Sequence, residues 1–473
     1  MQRMKAIVAI AVAGLVTLSA CSSPGASTAP TGGGASTGGA APAPSSAAPS
    51  SSAAGGSVTL EYWLWDSNQV PQYQACADDF TAANPNIKVN ITQTGWNDYW
   101  NNLTTQLTAG SGPDVFTDHL NYFADFLSKK QIVNLQPFID KDKVDMGIYF
   151  PGLADLWSDK DGNHYGLPKD WDTVAIFYNE NMMKDAGVTT DQLNSLTWNP
   201  QDGGTWEKLI AHMTIDENGK RGDEAGFDKT KVKTYGLFME GSGAGFSQSQ
   251  FSMYLFTTGF TFTDKNPWGT KWNFSDKNFK DTVAWWYSLV GKGYMNDLAT
   301  SASMDNNATS AFTAGKFAMV TSGDWMMSSY KAPDGGKTLY APTPIGPSGK
   351  RASMFNGLTD AITATSKHQN EAWQWVKWLG SEKCQQHVAD AGVVFPAIKS
   401  LSDATIAARQ KQGVDPSAFM VHVKDGTTFP PPIADHYPDV LAIQQPVMDD
   451  IMSGKKGVDA LDAMNDQINA LYK

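Results

Sequence analysis

The chain has 473 residues, too many for one ordinary hydrophobic core, and its length favours two lobes. Hydrophobic residues make up 41% of a globular composition, and the 16 Trp, 15 Tyr and 22 Phe exceed what core packing requires, which is typical of proteins whose rings also contact ligands. The formal net charge of −12 argues against binding nucleic acid or an anionic lipid surface, because either would need a cluster of basic side chains.

The N-terminus carries the pattern of an export signal. Two basic residues precede an apolar stretch, residues 6–18, that is too short to span a bilayer as a mature helix. The sequence LSAC at 18–21 resembles a bacterial lipobox, in which small residues precede a cysteine that receives lipid; the alternative is an ordinary signal peptide that contains a cysteine. We therefore predict a lipoprotein signal peptide at 1–20, lipidation of Cys21 and anchoring on the extracytoplasmic face of the cell membrane.

A stretch of Gly, Ala, Ser, Thr and Pro follows the lipobox and lacks charged and large apolar residues as far as Ser57. Such a composition cannot bury a core, so we predict a disordered tether over 21–57. The other two cysteines are Cys76 and Cys384, and their spacing leaves open whether they form a disulfide. The pattern expected of a metal site is missing around both, so no metal and no cofactor is expected.

Strand and helix patterns alternate after the tether. The predicted elements are a strand at 58–64, a helix from 70 to a stop at 84–85, a strand at 87–94, a helix from 96 to a stop at 110–113, a strand at 114–120 and a helix from 122. This order indicates an α/β fold with a mostly parallel sheet. Ligands of such sheets bind beyond the carboxyl ends of strands, where polar and aromatic residues stand here: Trp65, Asp66, Asp118, His119 and residues 169–172.

The two parts of the segment LPKDWDTVAIFYN, residues 167–179, differ in polarity. Residues 174–178 are wholly apolar, as in a strand covered on both faces, whereas 169–172 are charged and aromatic, as in a surface that grips a ligand. We therefore expect a buried strand with a polar and aromatic mouth.

The second half repeats the alternation. Strands are predicted at 234–240 and 317–321, and helices at 249–259, 278–293, from 323 and at 370–392, the last as one helix or two. The acidic segments 155–168 and 216–228 depart from the calcium-loop pattern at required positions, so turns are the better interpretation.

Five motifs occur in the order seen in family 1 extracellular solute-binding proteins, the maltose-binding-like receptors of ABC sugar importers: GSGPDVF, YGLPKDWDTVAIFYNENMMKDAG, SAFTAGKFAMVTSGDW, LTDAITATSKHQNEAWQWVKWLGSEKCQQ and FPAIKSL. The resemblance covers essentially the whole chain after the tether. It implies a two-lobed periplasmic-binding-protein-like α/β fold with three inter-lobe crossings, near 169–178, 357–362 and 399–403. The implied lobes are an N-terminal lobe of 58–171 with 361–399, and a C-terminal lobe of 172–360 with 400–473.

The resemblance also implies a monomeric receptor without catalysis. It would capture a carbohydrate, an oligosaccharide in our interpretation, by hinge closure and deliver it to the transmembrane subunits of an ABC permease. Sugar hydroxyls need acid and amide partners, and sugar ring faces need aromatic platforms. An aromatic loop, NPWGTKW at 266–272, is a further candidate wall. The residues expected to bind the ligand are Trp65, Asp66, Asn68, Asp118, His119, Asp170, Trp171, Asp172, Trp325, Asn356, His436 and Tyr437.

Structural and functional alternatives stay open at this point. Asp118 could cap the following helix, Asp172 could pair with Lys169, and Trp325 could anchor the start of its helix. The chain could instead be a lipoprotein glycoside hydrolase, a receptor for a non-sugar solute or an adhesive lipoprotein. The hydrolase is disfavoured because neighbours on one strand, such as Asp170 and Asp172, cannot flank a scissile bond from both sides.

Overall fold

The computed structural model describes residues 56–304, 308–333 and 335–473, so the predicted signal peptide, Cys21 and nearly all of the tether lie outside the described residues. Its strands, numbered along the chain, are β1 (Val58–Leu64), β2 (Ile87–Gln93), β3 (Val115–His119), β4 (Pro168–Asp172), β5 (Val174–Asn179), β6 (Ile215–Asp216), β7 (Val232–Phe238), β8 (Phe317–Gly323), β9 (Thr338–Ala341), β10 (Ser353–Met354), β11 (Asn356–Ile362), β12 (Phe395–Pro396) and β13 (Thr428–Phe429).

The α-helices, numbered in the same way, are α1 (Val70–Ala83), α2 (Trp96–Ala109), α3 (Leu120–Ser128), α4 (Gln136–Asp142), α5 (Glu180–Asp185), α6 (Thr190–Asn194), α7 (Gly204–Met213), α8 (Ser252–Leu255), α9 (Lys277–Lys292), α10 (Leu298–Met304), α11 (Ala308–Thr313), α12 (Gln369–Leu379), α13 (Glu382–Ala391), α14 (Lys399–Lys411), α15 (Ser417–Lys424), α16 (Tyr437–Met452) and α17 (Ala460–Ala470). Short 3₁₀ segments lie at Met146–Ile148, Ala154–Trp157, Phe256–Thr258 and Asp324–Met326.

Local chemistry explains where several helices end. Gly110 closes α2 and Gly293 closes α9, both in the left-handed conformation that glycine adopts without strain (φ 69° and 77°). Asn84, which precedes a proline, ends α1 as predicted. The segment 370–392 forms two helices, α12 and α13, and the predicted helix at 249–259 is reduced to α8 and a 3₁₀ turn.

The first sheet has the strand order β12-β4-β11-β3-β1-β2. Strand β1 pairs in parallel with β2 and β3, whereas β11 runs antiparallel to both β3 and β4, and β12 antiparallel to β4. In this sheet the expected parallel pairing therefore holds for β1 to β3 only, and in the second sheet β7 also pairs in parallel with β8. The chain leaves this sheet after β4 and re-enters it at β11, and these two strands consequently run in opposite directions.

The second sheet has the order β6-β7-β8-β5-β9, with β5 paired antiparallel to β8 and β9. All six residues of β5 are buried, which confirms the prediction of a strand covered on both faces. Each sheet carries its own helices, so the α/β architecture has two lobes. The residue limits inferred for these lobes stay predictions.

The segments that connect the two sheets are hydrogen-bonded to one another. Only Thr173 separates β4 of the first sheet from β5 of the second, and its hydroxyl donates to the Phe419 carbonyl in α15 at 2.7 Å. The next amide, of Val174, donates to Ser353 Oγ in β10 at 2.9 Å. The first connection is therefore anchored to the chain that precedes β11 and to the chain that follows β12.

Cys76 in α1 and Cys384 in α13 form a disulfide, which settles the pairing that the sequence left open. The two cysteines are 308 residues apart, and both helices pack beside the first sheet. The bond therefore joins two parts of the first lobe that the second lobe separates in sequence.

The described ranges contain no helix that combines the length and the apolar character needed to cross a bilayer. Within these same ranges, no group of three or more His, Cys, Asp or Glu side chains is arranged to hold a metal ion.

Candidate ligand-binding site

A cavity of about 560 Å³ lies between elements of the two sheets, within the size range of small-molecule sites. Strand ends of the first sheet form one wall, and the segment 244–250, Trp325 and the start of α16 form the other. Of the residues predicted to bind ligand, those that line the cavity are Trp65, Asp66, Asn68, His119, Asp170, Trp171, Asp172, Trp325, Asn356 and Tyr437.

Indole rings cover the first wall where β1 ends and α2 begins. The Trp65 ring meets the Trp96 ring edge-to-face with centroids 5.1 Å apart, and Trp96 meets the His119 imidazole at 5.4 Å. Trp96, which is 42% exposed, was not predicted as a site residue. An exposed indole fixed by neighbouring rings is suited to contact with the apolar face of a ligand.

Asp66 holds the loop after β1 in place. Its Oδ1 accepts a hydrogen bond from the Asn68 amide at 2.8 Å, and its Oδ2 accepts one from Gln69 Nε2 at 2.9 Å. Burial raises the pKa of the Asp66 carboxyl, although these hydrogen bonds oppose the rise. Asp66 therefore shapes this part of the wall as well as facing the cavity.

The two residues that end β3 have different surroundings. His119 faces the cavity, its Nδ1 accepts from the Asn121 amide at the start of α3, and its Nε2 lies 2.8 Å from the Asn356 amide nitrogen. Burial lowers the pKa of His119 to about 3, so its imidazole is neutral at physiological pH.

Asp118 does not line the cavity, contrary to its predicted place in the site. Successive side chains of a strand point to opposite faces, so a strand that directs His119 to the cavity directs Asp118 away from it. The Asp118 side chain is fully buried, and its Oδ1 accepts from the His119 amide at 2.8 Å. Burial raises the pKa of this carboxyl.

Strand β4 contributes two buried acids to the cavity wall. Asp170 Oδ1 accepts from the Leu358 amide of β11 at 2.9 Å, and Asp172 Oδ1 accepts from Gln248 Nε2 at 2.5 Å. Burial raises the pKa of Asp170 to about 7 even though the nearby Lys169 charge lowers it. Burial, followed by repulsion from Asp170, raises the pKa of Asp172.

The alternating residues of β4 differ from the expected ligand-gripping surface. Trp171 lies beside the cavity, but its indole is fully buried, stacks on Phe395 at 4.8 Å and donates to Ser402 Oγ at 3.0 Å. Lys169 is 2% exposed and pairs with Asp360, not with Asp172. Both residues belong to the packing of the first lobe, where hydrophobic burial and ion pairing offset the loss of solvent.

Trp325 stands on the opposite wall, in the 3₁₀ turn that follows β8. Its indole lies against Gly323, where an added Cβ would come within 1.8 Å of the ring. Because only a glycine leaves that space free, Gly323 sets the position of the half-buried Trp325 ring. The interpretation of Trp325 as a cavity residue thus has a structural basis, although a turn replaces the predicted helix.

The loop 244–250 was missed by the sequence analysis and supplies much of the second wall. Gln444 in α16 fixes it, since its Oε1 accepts from the Gly245 amide at 2.8 Å and its Nε2 donates to the Gly245 carbonyl at 3.0 Å. Gln248 then reaches Asp172 across the cavity. The sequence GSGAGFSQSQ at 241–250 contained the signal, because glycine lets the backbone approach closely and Ser and Gln are good hydroxyl partners.

The start of α16 separates two predicted site residues. Tyr437 lines the cavity, and its hydroxyl accepts from Asn121 Nδ2 at 3.1 Å. His436, the residue before the helix, has a left-handed backbone (φ 61°) and packs against Tyr472 with ring centroids 5.3 Å apart, outside the cavity lining. The turn that begins α16 therefore excludes His436 from the site.

The candidate loop 266–272 also lies outside the lining, with Trp272 buried and Trp268 packed near Phe123.

Residues 75–412 match the family model for bacterial extracellular solute-binding proteins. The maltodextrin-binding protein MdxE of Bacillus subtilis is 23% identical over 374 residues, which cover 77% of this chain and 78% of that protein. An arabinooligosaccharide-binding protein of the same organism is 30% identical over 148 residues, covering 30% of this chain and 33% of that protein.

Solved structures share the fold. The ABC substrate-binding protein of Listeria monocytogenes in complex with cycloalternan has a TM-score of 0.74 at 18% identity, with 88% of this chain and 99% of that chain covered. The family model spans most of the present chain, and two α/β lobes with a cavity between them are present here. This chain belongs to the bacterial extracellular solute-binding proteins.

Proposed function

We propose that this protein is the carbohydrate receptor of an ABC importer and that it binds its saccharide in the cavity between the two sheets. The observation that carries the proposal is the composition of the cavity wall, in which the Trp65, Trp96 and Trp325 indoles alternate with carboxylates and side-chain amides. Sugars present both hydroxyls and weakly polar C–H faces, and these two kinds of side chain match them.

The similar proteins support the same ligand class. MdxE is a maltodextrin-binding protein, and the relative of higher identity binds an arabinooligosaccharide. The Listeria monocytogenes structure holds cycloalternan. The size of the cavity, about 560 Å³, has room for a short oligosaccharide.

Capture is proposed to proceed by hinge closure of the two lobes and to end in delivery to the transmembrane subunits of the permease. The short connection at Thr173 and the segments bonded to it are the place where a small backbone change would rotate one sheet relative to the other. The receptor is proposed to act as a monomer outside the cytoplasm, tethered by lipid on Cys21. Exchange of Cys21 for Ser is expected to release it from the membrane fraction.

A thermal-unfolding screen against plant- and starch-derived mono- and oligosaccharides tests the proposed function. A ligand at 100 times its Kd adds about 2.7 kcal/mol to the free energy of unfolding, which is a readily measured rise in Tm. A reducing-sugar assay on each stabilising oligosaccharide separates the receptor from a glycoside hydrolase. Saturable binding without turnover supports the receptor, whereas turnover, or no stabilisation by any saccharide, contradicts it.

A further inference from the structure

The charges that line the cavity are all of one sign. Its described lining contains three carboxylates, Asp66, Asp170 and Asp172, and neither Lys nor Arg. The one histidine of the lining, His119, is neutral because burial lowers its pKa to about 3. A ligand that enters this cavity therefore meets acids without meeting a basic side chain.

Lys169, the residue before Asp170, is a buried cation whose hydrogen bonds are already filled. The Lys169 ammonium donates to Tyr62 Oη at 2.8 Å, to Thr117 Oγ1 at 3.0 Å and to Asp360 Oδ1 at 3.1 Å. An ammonium has three donors, so none is left for a group in the cavity. Lys169 lowers the pKa of Asp170 through its charge but does not neutralise the cavity wall by contact.

A carboxylate oxygen of the wall has no donor, and neither has the side-chain oxygen of Asn356. Asp170 is 3% exposed, its Oδ1 is bonded to the Leu358 amide, and its Oδ2 is buried without a hydrogen-bond partner among the described residues. A buried acceptor left unsatisfied is unfavourable by about 1–3 kcal/mol, and by more when it is charged. A donor supplied by the ligand would remove this penalty.

A further carboxylate lies behind the wall. Asp324 is fully buried, and burial is the main cause that raises the pKa of its carboxyl. The negative charges of Asp172 and Asp170 raise this pKa further. Asp170, Asp172 and Asp324 thus repel one another in a dry environment, where an ionised carboxylate needs a partner of opposite charge. The geometry calls for a cation next to Asp170 and Asp172.

We propose that the natural ligand is an amino sugar, a saccharide whose protonated amino group is bound between Asp170 and Asp172. The inference rests on the proposed function and narrows its ligand class. The two acids are two residues apart on β4, so their side chains share a face with Cα atoms ~7 Å apart, which suits one ammonium hydrogen-bonded to both. An ammonium supplies three donors to this acceptor-rich wall, and the neighbouring indoles attract a cation through their ring faces.

Matched pairs of ligands test the proposal on the mature protein. Isothermal titration would compare glucosamine with glucose, galactosamine with galactose, and the di- and trisaccharides of β-1,4-linked glucosamine with cellobiose and cellotriose. In each pair one member carries an ammonium where the other carries a hydroxyl. We expect at least one amino member to bind about tenfold or more tightly than its partner, and its affinity to fall as salt rises.

Two variants locate the effect. Asp172→Asn is expected to abolish the preference for the amino member, measured as the ratio of the two affinities in the same variant, and Asp466→Asn, which changes an exposed acid in α17, is expected to leave this ratio intact. Neutral saccharides that bind as well as or better than their amino counterparts in every pair would overturn the amino-sugar inference and leave the receptor function standing. Binding of neither member in any pair would also overturn the amino-sugar inference, whereas the receptor function is decided by the wider saccharide screen.

Discussion

Two groups of charged side chains lie close together in sequence at β4 of the first sheet, and they are built differently. In the paired cluster (Tyr62, Thr117, Lys169 and Asp360), a buried ammonium meets a buried carboxylate and two hydroxyls. The cavity carboxylates (Asp66, Asp170 and Asp172) share one wall, where no basic side chain of the described lining faces them.

The difference shows how to separate structural charge from ligand-binding charge. The paired cluster balances its charge within the fold, because Lys169 donates three hydrogen bonds there and one of them reaches the Asp360 carboxylate, so it stabilises the fold. The cavity carboxylates keep an acceptor unfilled and repel one another, which lowers the stability of the empty protein and favours a bound cation.

Removing the cation of the paired cluster should have the largest effect. Lys169→Met leaves the buried Asp360 carboxylate without its ion partner, so we expect the free energy of unfolding to fall by about 3–5 kcal/mol. Urea unfolding measures it. Lys399→Met, which breaks an exposed pair with Asp403, is the control and should change stability by about 1 kcal/mol or less.

A second substitution in the same background sharpens the result. Lys169→Met combined with Asp360→Asn removes the uncompensated charge and should recover part of the lost stability. If the single and double variants were equally unstable, the loss would arise from packing of the lysine stem and not from the ion pair.

The tryptophans also divide into rings that line the cavity and rings that pack elsewhere in the fold. Trp325→Ala removes a half-buried cavity ring, so we expect affinity for the stabilising saccharide to fall roughly tenfold or more, equivalent to about 1.4 kcal/mol or more, with little change in the Tm of the free protein. Titration calorimetry on the variant measures the change.

Trp378→Ala provides the matched control, since this partly buried indole packs against Phe80 away from the cavity. It should leave affinity unchanged whatever it does to stability. Full affinity in Trp325→Ala would remove that ring from the binding site and contradict the proposed wall.

The pH dependence of stability reports on Asp170. Its pKa is raised by burial from 3.8 to about 7 in the folded protein, so between these values the folded state holds more protons than the unfolded state. Asp170 therefore makes the ligand-free protein less stable as pH rises from about 4 to 7. The free energy of unfolding of Asp170→Asn minus that of wild type should therefore be larger at pH 7 than at pH 5. Urea unfolding of both proteins at both pH values measures this difference.

The comparison between the two proteins is needed because other groups titrate in the same range. His119 and His422 are buried with pKa values lowered to about 3, and they make stability fall as pH decreases from 6.5. Their contribution is common to both proteins and cancels in the difference. If the free energies of unfolding of Asp170→Asn and wild type differed by the same amount at pH 5 and at pH 7, Asp170 would not be held at a raised pKa.

The smallest expected effect concerns the amide that crosses the cavity. Gln248→Ala removes the hydrogen bond that Gln248 donates to Asp172 and the one that it accepts from Asn356, and we expect a change in saccharide affinity of about tenfold or less, with little change in stability. Titration calorimetry measures it. Gln386→Ala removes an exposed side chain of α13 that donates to Asp390 Oδ1 at 2.7 Å, and it should change neither quantity. If Gln248→Ala lost as much stability as Lys169→Met, Asp172 would belong with the charges that stabilise the fold, as the paired cluster does, and not with those that bind ligand.

Much of the first wall could be anticipated because it depends on local sequence. Polar and aromatic residues directly after a predicted strand, such as Trp65 and Asp66, lie at the edge where parallel sheets bind ligands. Their position follows from the chain direction alone. The same reasoning placed Asp118 beside His119 in the site, and strand alternation separates the two.

The second wall depended on contacts between distant parts of the chain. Gln248 lies opposite Asp172 because Gln444, far along the sequence, holds the loop at Gly245. Likewise Trp171 and Trp325 are both tryptophans beside polar residues. Packing against the rings of Phe150, Phe355 and Phe395 makes Trp171 part of the core. Propensity and motif carry no information about such partners.

The amino-acid sequence by itself determined the α/β alternation, the buried strand of the second sheet and the family, because these follow from hydrophobic period, helix stops and local motifs. Only the tertiary structure decided the disulfide, the pairing of Lys169 with Asp360 and the uniform charge of the cavity wall. Each of these depends on which groups approach within a few ångströms after the chain has crossed between the sheets. Electrostatic and hydrogen-bond energies change steeply over that distance, and sequence spacing does not measure it.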